Sequence, residues 1–499
     1  MFWEIIFTVF AFLLILVIIL KSKKKSKRNP PLVKGHVLVG NLFQMDYENM
    51  HRTIDRWSKI YGDVLEINIL GQKLVSLNTS EAIRNAFLHE PTATATSARP
   101  PTFFGKYALD NFSDTAFASP SKHWTNRRKL VYKLMHTYGE GIVNMENQIK
   151  KSLEDMKLQL TQVNGNSVDP AIIIGEFIMS TVEQLIVGRS FGKGSKLKKL
   201  LRQVDYNFNM LSNLGMDVLF GVFPFLRFFP LKHSNMLREF EDQKNEMMDL
   251  LAKIAKENPE HKGVYQNMMA EVTKTDKEGR PRLNVVNVKA TLLNVVSAGY
   301  NTTRGTLLSL VHILATRPEL QKLLQTEIDN VIGSDRKPTL RDRENCPLIE
   351  SVLLETLRYI SHIPLSVFHF TADDCQINGY NIQKGTTIIP NLWTAHRNDK
   401  DFEHPYTFIP DRFLDKSGNL VPATDPLRKS LMPFGVGKRS CIGEVFARSR
   451  MFLFLATLLQ TASIEKPDDE IIAEFGLDDL NPGLVMQPKP YKIKFVMRQ

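Results

Sequence analysis

The sequence predicts a mainly α protein with a small β portion, and three observations carry that prediction. Residues 140–260 read as successive helical stretches separated by short polar breaks. A longer segment, Val285 to Thr316, has apolar residues round most of its circumference and ends just before Arg317-Pro318, which places a buried helix there. Strand signals are confined to residues 64–77, to short pieces bounded by turns at Asn378-Gly379 and Lys384-Gly385, and to the chain after about Leu459. With 499 residues, 43% hydrophobic and 9% aromatic, the chain can bury a large core. Its three cysteines, Cys346, Cys375 and Cys441, are odd in number and widely spaced, which argues against a disulfide framework and for a reducing compartment.

At the amino terminus, Ile5–Leu20 carries no charge, and Phe2 and Trp3 extend it across Glu4. A helix from residue 2 to 20 is just long enough to span a bilayer. Residues 21–28 then hold six of the positive charges behind the formal net charge of +11. A cleavable signal peptide has its basic residues before the apolar run, and here the order is reversed. The positive-inside rule keeps the basic cluster and all that follows on the cytosolic side. The expected organisation is a transmembrane signal-anchor over 1–20, a basic and Pro-containing linker over 21–36, and one main domain over 37–499. The remaining basicity shows no Lys/Arg stripe interleaved with aromatics, so no nucleic-acid partner is expected. A mildly basic solvated surface accounts for it, and part of that surface can dock an acidic partner.

Residues 64–77 alternate apolar and polar around Leu70-Gly71-Gln72, a β-hairpin pattern. Asn78-Thr79-Ser80-Glu81 supplies the cap of a helix. Residues 98–120, rich in Pro, Phe, Gly and Ser, lack a period and read as loop. Trp124 and Arg128 share one helical face at i,i+4. Two donors there can clamp a carboxylate, or the pair is a surface Arg beside a half-buried Trp. Arg127, Lys129 and Lys133 lie on other faces and are candidates for docking a partner, or are simply solvated. The aromatic run 218–230, broken by Gly221, Pro224 and Pro230, is either a roof over a cavity or a segment dipping into a membrane interface.

Inside the long helix lies Ser297-Ala298-Gly299-Tyr300-Asn301-Thr302-Thr303. Gly and paired Thr are unfavourable mid-helix, and a Thr hydroxyl can bond the i−4 carbonyl and bend the helix. A local cost in a core marks a candidate functional site. Glu355 and Arg358 share a face at i,i+3, a weak motif that Glu81/Arg84 repeats. Ile363–His369 reads as extended. In Pro433-Phe434-Gly435-Val436-Gly437-Lys438-Arg439-Ser440-Cys441-Ile442-Gly443-Glu444, a lone thiol sits in a Gly-rich loop before a helix. The helix dipole and Arg439 are expected to lower its pKa. A solitary thiolate is a poor zinc or iron–sulfur site, and it suits a metal whose other ligands come from a macrocycle. A buried structural cysteine is the plainer alternative.

The pattern Phe434-x-x-Gly437-x-Arg439-x-Cys441-x-Gly443 resembles the haem-thiolate signature of the cytochrome P450 superfamily at every fixed position. Trp124/Arg128, Ala298–Thr303, Glu355/Arg358 and Pro410–Phe413 precede it in family order, so the resemblance covers nearly everything after the anchor. It implies the cytochrome P450 fold, with residues 37–499 as the haem-thiolate catalytic domain. It implies haem b with Cys441 as axial iron ligand, and haem contacts from Trp124, Arg128, His369, Phe434, Gly437, Arg439 and Gly443. His369 is equally well read as a hydrogen-bonded strand histidine. Thr302, Asn301, Gly299 and Ala298 fall at the oxygen-activation kink, where Gly leaves room for dioxygen and Thr302 orients a proton relay. Asn301 stands where the family usually has Asp or Glu, and an amide cannot titrate near neutral pH. Glu355, Arg358 and Arg412 are implied to form a buried structural network.

The implied activity is insertion of one oxygen atom from O2 into a lipophilic small molecule, with steroid-like molecules among the candidates. Electrons would come from NADPH through a flavoprotein reductase, with cytochrome b5 as a further donor, at the endoplasmic reticulum membrane. The segment Asn391–His396 and residues 433–460 look similar to those of microsomal steroid 17α-hydroxylases and their relatives. A reductase-independent isomerase or dehydratase, which Asn301 favours, and a non-catalytic haem protein binding a lipid or gas are the alternatives.

Overall fold

A computed structural model of the protein describes residues 28–136, 142–275, 279, 281–468 and 471–498. The expected anchor and residues 21–27 of the linker lie outside the described residues. Helices dominate, as the sequence predicts: α1 (Met50–Tyr61), α2 (Ser80–Leu88), α3 (Lys122–His136), α4 (Ile142–Val163), α5 (Pro170–Val187), α6 (Lys196–Leu211), α7 (Leu214–Val222), α8 (Lys232–Glu257), α9 (Val264–Val272), α10 (Val285–Thr316), α11 (Pro318–Val331), α12 (Pro347–Ile360) and α13 (Glu444–Thr461).

The molecule is built round α10, whose 32 residues match the predicted limits. Its start is fixed by reciprocal bonds, because Asn284 Oδ1 accepts from the Asn287 N–H at 2.8 Å and Asn287 Oδ1 from the Asn284 N–H at 3.3 Å. Its end is fixed by Pro318, which opens α11. Along it pack α5, α6, α9, α12 and α13, so its apolar surface is covered on nearly all sides. Helix α5 is long and apolar enough to cross a membrane, yet it is almost wholly buried within this core.

The strands form small sheets at one side. β1 (Val64–Ile69) and β2 (Gln72–Leu77) are the predicted hairpin, in the register Val64↔Leu77. Positive φ at Leu70 (52°) and Gly71 (83°) gives the two-residue turn that suits the strand twist. With β3 (His369–Phe370), β4 (Cys375–Ile377), β5 (Tyr380–Ile382) and β6 (Thr387–Pro390) named, the main sheet runs β1-β2-β6-β3, with β2 and β6 parallel. β4 and β5 pair across Asn378-Gly379. After α13 the chain returns as β7 (Ala462–Glu465) and, near its end, β8 (Ile493–Met497), which pairs with β7 and with Ser167–Val168.

Within the linker, the Val33 N–H donates to Glu66 O and the Glu66 N–H to Pro31 O, covering the outer edge of β1. Three expectations change. Ile363–Ser366 is a turn rather than extended: the Ser366 N–H donates to Ile363 O at 3.1 Å and Ser366 has φ 54°. In 98–120, Thr102 caps a helical turn at Phe103–Tyr107, and the rest is irregular. The run 218–230 completes α7 and adds a turn of 3-10 helix at Pro224–Phe228. Phe220 is buried, but Phe223, Phe225, Phe228 and Phe229 are exposed, which removes the roof reading for those four rings.

Candidate functional site

The cysteine loop passes between α2 and α10. The Cys441 N–H donates to Phe434 O at 2.8 Å, closing the loop on itself. Gly437 has φ 74°, and a Cβ there would lie 2.2 Å from Phe87 O. Only glycine permits both that conformation and that approach to α2. Cys441 faces a cavity of about 290 Å³ whose floor is the loop, with Phe434 and Gly443, and whose roof is Ala298, Gly299 and Thr302 of α10. Its exposure is to this cavity. Burial pushes the thiol above its ordinary value, while the Gly443 N–H, Arg128 and Arg450 pull it down. The expected depression by dipole and Arg439 is therefore not found: desolvation inside the wall outweighs it.

Four guanidinium groups line the same cavity, and three of them, Arg99, Arg128 and Arg439, repel one another. Arg99 donates from Nε to Ala116 O at 2.9 Å and from Nη1 to the carbonyls of Val367 and Phe368. Arg128 donates to Ser440 O, and Arg439 to the carbonyls of Ser97 and Ala118, leaving its buried Nη1 without a partner. Among the described residues none of the three is in an ion pair. Burial, then mutual repulsion, lowers Arg99 to about 9 and Arg439 to about 8. The nearby Asp114 offsets this only partly, since its carboxyl is taken up by the Ala116 and Phe117 N–H groups. A cavity holding uncompensated cations above a thiol fits a flat macrocycle bearing two carboxylates, which is haem.

Trp124 does not act as the expected second donor. Its indole N–H is spent on Thr115 O at 2.9 Å, and its ring stacks beneath Arg439 at 4.0 Å and beside Arg128 at 5.7 Å. It supports the cations rather than reaching the cavity. His369 lines the cavity with its ring stacked on Phe87 at 4.0 Å. Its Nδ1 donates to Thr96 O at 2.9 Å, and burial beside Arg99 holds its pKa well below the ordinary value, so it is neutral. Arg99 escapes sequence reading, though it is the only charge between Glu90 and Lys106. Arg127 is buried against Asp114 O, which removes it from any docking surface, whereas Lys129 and Lys133 of the same helix are exposed.

On the roof, Thr302 Oγ1 donates to Ala298 O at 2.7 Å, the predicted back-bond. Gly299 differs from expectation: a Cβ there would meet Val182 Cγ2 at 3.2 Å, so the missing side chain serves packing on α5. A residue the sequence did not mark, the buried Arg450, donates from Nη2 to Gly299 O and Thr303 Oγ1, both at 2.9 Å. The available signal was Arg450 at the head of the apolar run of α13, two residues after Arg448. Asn301 faces away from the cysteine cavity and donates to both oxygens of Asp205 on α6, each at 2.7 Å. Asn209 adds a bond to Asp205 Oδ1 at 3.0 Å and one to Ser297 Oγ at 3.1 Å. Burial raises the Asp205 carboxyl to about 7. Asp205 and Asn301 line a second cavity of about 710 Å³, which shares Arg99, Ser366 and Val367 with the first.

Behind the loop, Glu355 bonds Arg358 at 2.7 and 2.8 Å and Arg412 at 3.0 Å. Arg358 also donates to the carbonyls of His396, Pro405 and Thr407, and Glu355 accepts from the Ile409 N–H. The pair is fully buried and fully bonded.

The sequence profile described as Cytochrome P450 matches residues 30–495. Among similar proteins, a steroid 17-alpha-hydroxylase/17,20 lyase of Ovis aries is 28% identical over 505 residues, covering 99% of this chain and 97% of the relative. One of Ictalurus punctatus is 27% identical over 511 residues, covering 98% and 96%. Cytochrome P450 2D20 of Mesocricetus auratus is 28% identical over 499 residues, covering 99% and 98%.

Proposed function

The chain belongs to the cytochrome P450 family and is a cytochrome P450 monooxygenase; on that premise we propose that it oxidises a lipophilic, steroid-like small molecule with electrons from NADPH passed through a flavoprotein reductase. The observation that carries the reading is the set of buried and half-buried guanidiniums over the Cys441 loop, none of them in an ion pair among the described residues. In this reading Cys441 holds the iron, Arg99, Arg128 and Arg439 hold the two carboxylates, and Gly437 and Gly443 keep the floor flat. Bound haem supplies the reduction of dioxygen and the insertion of oxygen, with thiolate donation favouring O–O cleavage.

The protein's own part is to bind, orient and manage protons. The 710 Å³ cavity is of a size for a drug-sized or steroid-sized ligand. Phe104, Phe117, Leu365 and Phe368 give it apolar walls, and Asp205, Asn209 and Asn301 a polar one. Thr302 presents its hydroxyl to the smaller cavity, where it can orient a water. The names of the relatives favour a steroid-like substrate. The exposed rings between Phe223 and Phe229 suit the membrane interface, in keeping with an anchor at 1–20 and a catalytic domain on the cytosolic side of the endoplasmic reticulum. Lys129 and Lys133 are the proposed contacts for the reductase.

The test is the difference spectrum of the dithionite-reduced, haem-loaded protein with and without carbon monoxide. A strongly red-shifted Soret band, lost in Cys441→Ser, is expected. A band at the histidine-ligated position, or one that survives Cys441→Ser, removes the ligand assignment. A steroid panel incubated with NADPH and reductase then tests the substrate class by product formation.

A further inference from the structure

Asp205 is a buried carboxyl without a cation bonded to it. Among the described residues it has no ion pair, and its partners are neutral donors: the Asn301 and Asn209 amides, with the Ser297 hydroxyl beside them. The charged group acting on it is Arg304 of α10, and the neutral Tyr300 phenol, which itself feels Arg304 and the Glu176-paired Arg202, lies near it, all at the wall of the 710 Å³ cavity. An acid buried in this way keeps its proton to higher pH than a solvated one, and amide donors steady the carboxylate once the proton leaves. The position is set by two helices. α6 carries Asp205 to α10 at Asn301, the residue next to Thr302, and the cavity it lines shares Arg99, Ser366 and Val367 of its wall with the one above Cys441. The histidines of the smaller cavity cannot take this part, because burial drops His362 to about 4 and holds His369 lower than its ordinary value. Asp217, on the wall of the larger cavity, is raised to about 6 but accepts from the Phe104 N–H, away from α10.

We propose that Asp205 is the proton-holding residue of the larger cavity, with Asn301 fixing its carboxyl against α10 beside Thr302. The inference rests on the monooxygenase reading above. The Asp205 O–H gives its proton to a water in the cavity. The carboxylate left behind is held by the N–H groups of Asn301 and Asn209. It regains a proton from bulk water through the cavity mouth, where Tyr206 and Met210 are exposed. No electrons change hands at Asp205.

Two measurements on the haem-loaded full chain test this. Infrared difference spectra between pH 6 and pH 8 are expected to show a protonated-carboxyl C=O stretch that titrates near 7, disappears in Asp205→Asn and shifts in Asn301→Ala. The rate at which dissolved oxygen re-oxidises the dithionite-reduced protein is expected to fall with the protonated fraction. For a group centred near 7 that is about tenfold between pH 6 and pH 8. The profile should flatten in Asp205→Asn and return in Asp205→Glu. A wild-type protein with no carboxyl titrating in this window overturns the proposal without recourse to any variant. So does Asp205→Asn with its carbon monoxide band intact and its pH profile unchanged. A wild type lacking the red-shifted band removes the haem-thiolate reading instead, and the infrared titration still decides the fate of Asp205.

Discussion

Glu355 and Arg99 are buried charges and Arg128 and Arg439 half-buried ones, but of the four only Glu355 is in an ion pair among the described residues. Behind the cysteine loop, the carboxylate is met by Arg358 and Arg412, and Arg358 is completed by three carbonyls. Around the cavity, three cations repel one another and Arg439 keeps an unpartnered nitrogen. A closed network is a structural device, whereas an open one awaits a charge from outside. Asp205 is a third case, an acid whose counter-charge is its own proton.

The largest effect should come from opening the closed network. Glu355→Gln leaves Arg358 buried without an anion, and a buried pair broken on one side costs about 3–5 kcal/mol. Chemical denaturation should show this loss in both haem-free and haem-loaded protein. Equal stability of variant and wild type would mean the network is not the brace its geometry implies.

Asp205→Asn should have an effect of comparable size whose sign depends on pH. The folded-state pKa is raised from 3.8 to about 7 by burial. A raised pKa contributes stability that is full below 3.8 and lost as pH rises through about 7. The wild type therefore weakens against Asp205→Asn across that window, by up to on the order of 4 kcal/mol at pH 8. The two should converge near pH 4. A difference independent of pH would mean that the variant changes packing alone.

Arg439→Met should separate the open charges from the closed one by a change of sign. Without haem, removing a half-buried cation that has no ion pair among the described residues is expected to stabilise the chain. With haem, a charge-assisted bond is lost, and haem transfer to an acceptor globin should be about ten- to a hundredfold faster. Destabilisation of both forms would place Arg439 with Glu355.

How much of this the sequence disclosed depends on how far each signal reaches along the chain. α10 was legible to the residue because its apolar pattern is long and both of its ends are punctuated, by Asn284 and by Pro318. The hairpin at Leu70-Gly71 and the cysteine loop were legible because glycines mark where the backbone must turn or approach closely. The fate of a polar side chain was not legible, since it is set by the element packed opposite. Trp124 spends its N–H on Thr115, Gly299 makes room for Val182, and the thiol of Cys441 is raised because the wall around it excludes water. Asn301 read as the loss of an acid until α6 placed Asp205 against it, 96 positions away in sequence. Arg99 was visible only as a single charge in apolar surroundings, and Arg450 only as a charge at the head of an apolar run.

The smallest effect closes the comparison, because it uses the same motif. Glu81 and Arg84 repeat Glu-x-x-Arg at the start of α2, where Glu81 is exposed and Arg84 turns to Lys429 O at 3.4 Å. An exposed carboxylate is already solvated, so removing its charge leaves no buried partner uncompensated. Glu81→Gln loses only a favourable contact with the helix N-terminus, about 0.5 kcal/mol, and less at high salt. Measured beside Glu355→Gln, the same change in the same Glu-x-x-Arg pattern should differ several-fold in cost. If the two costs proved equal, burial would not be what gives Glu355 its weight, and the division between closed and open charges would fail with it.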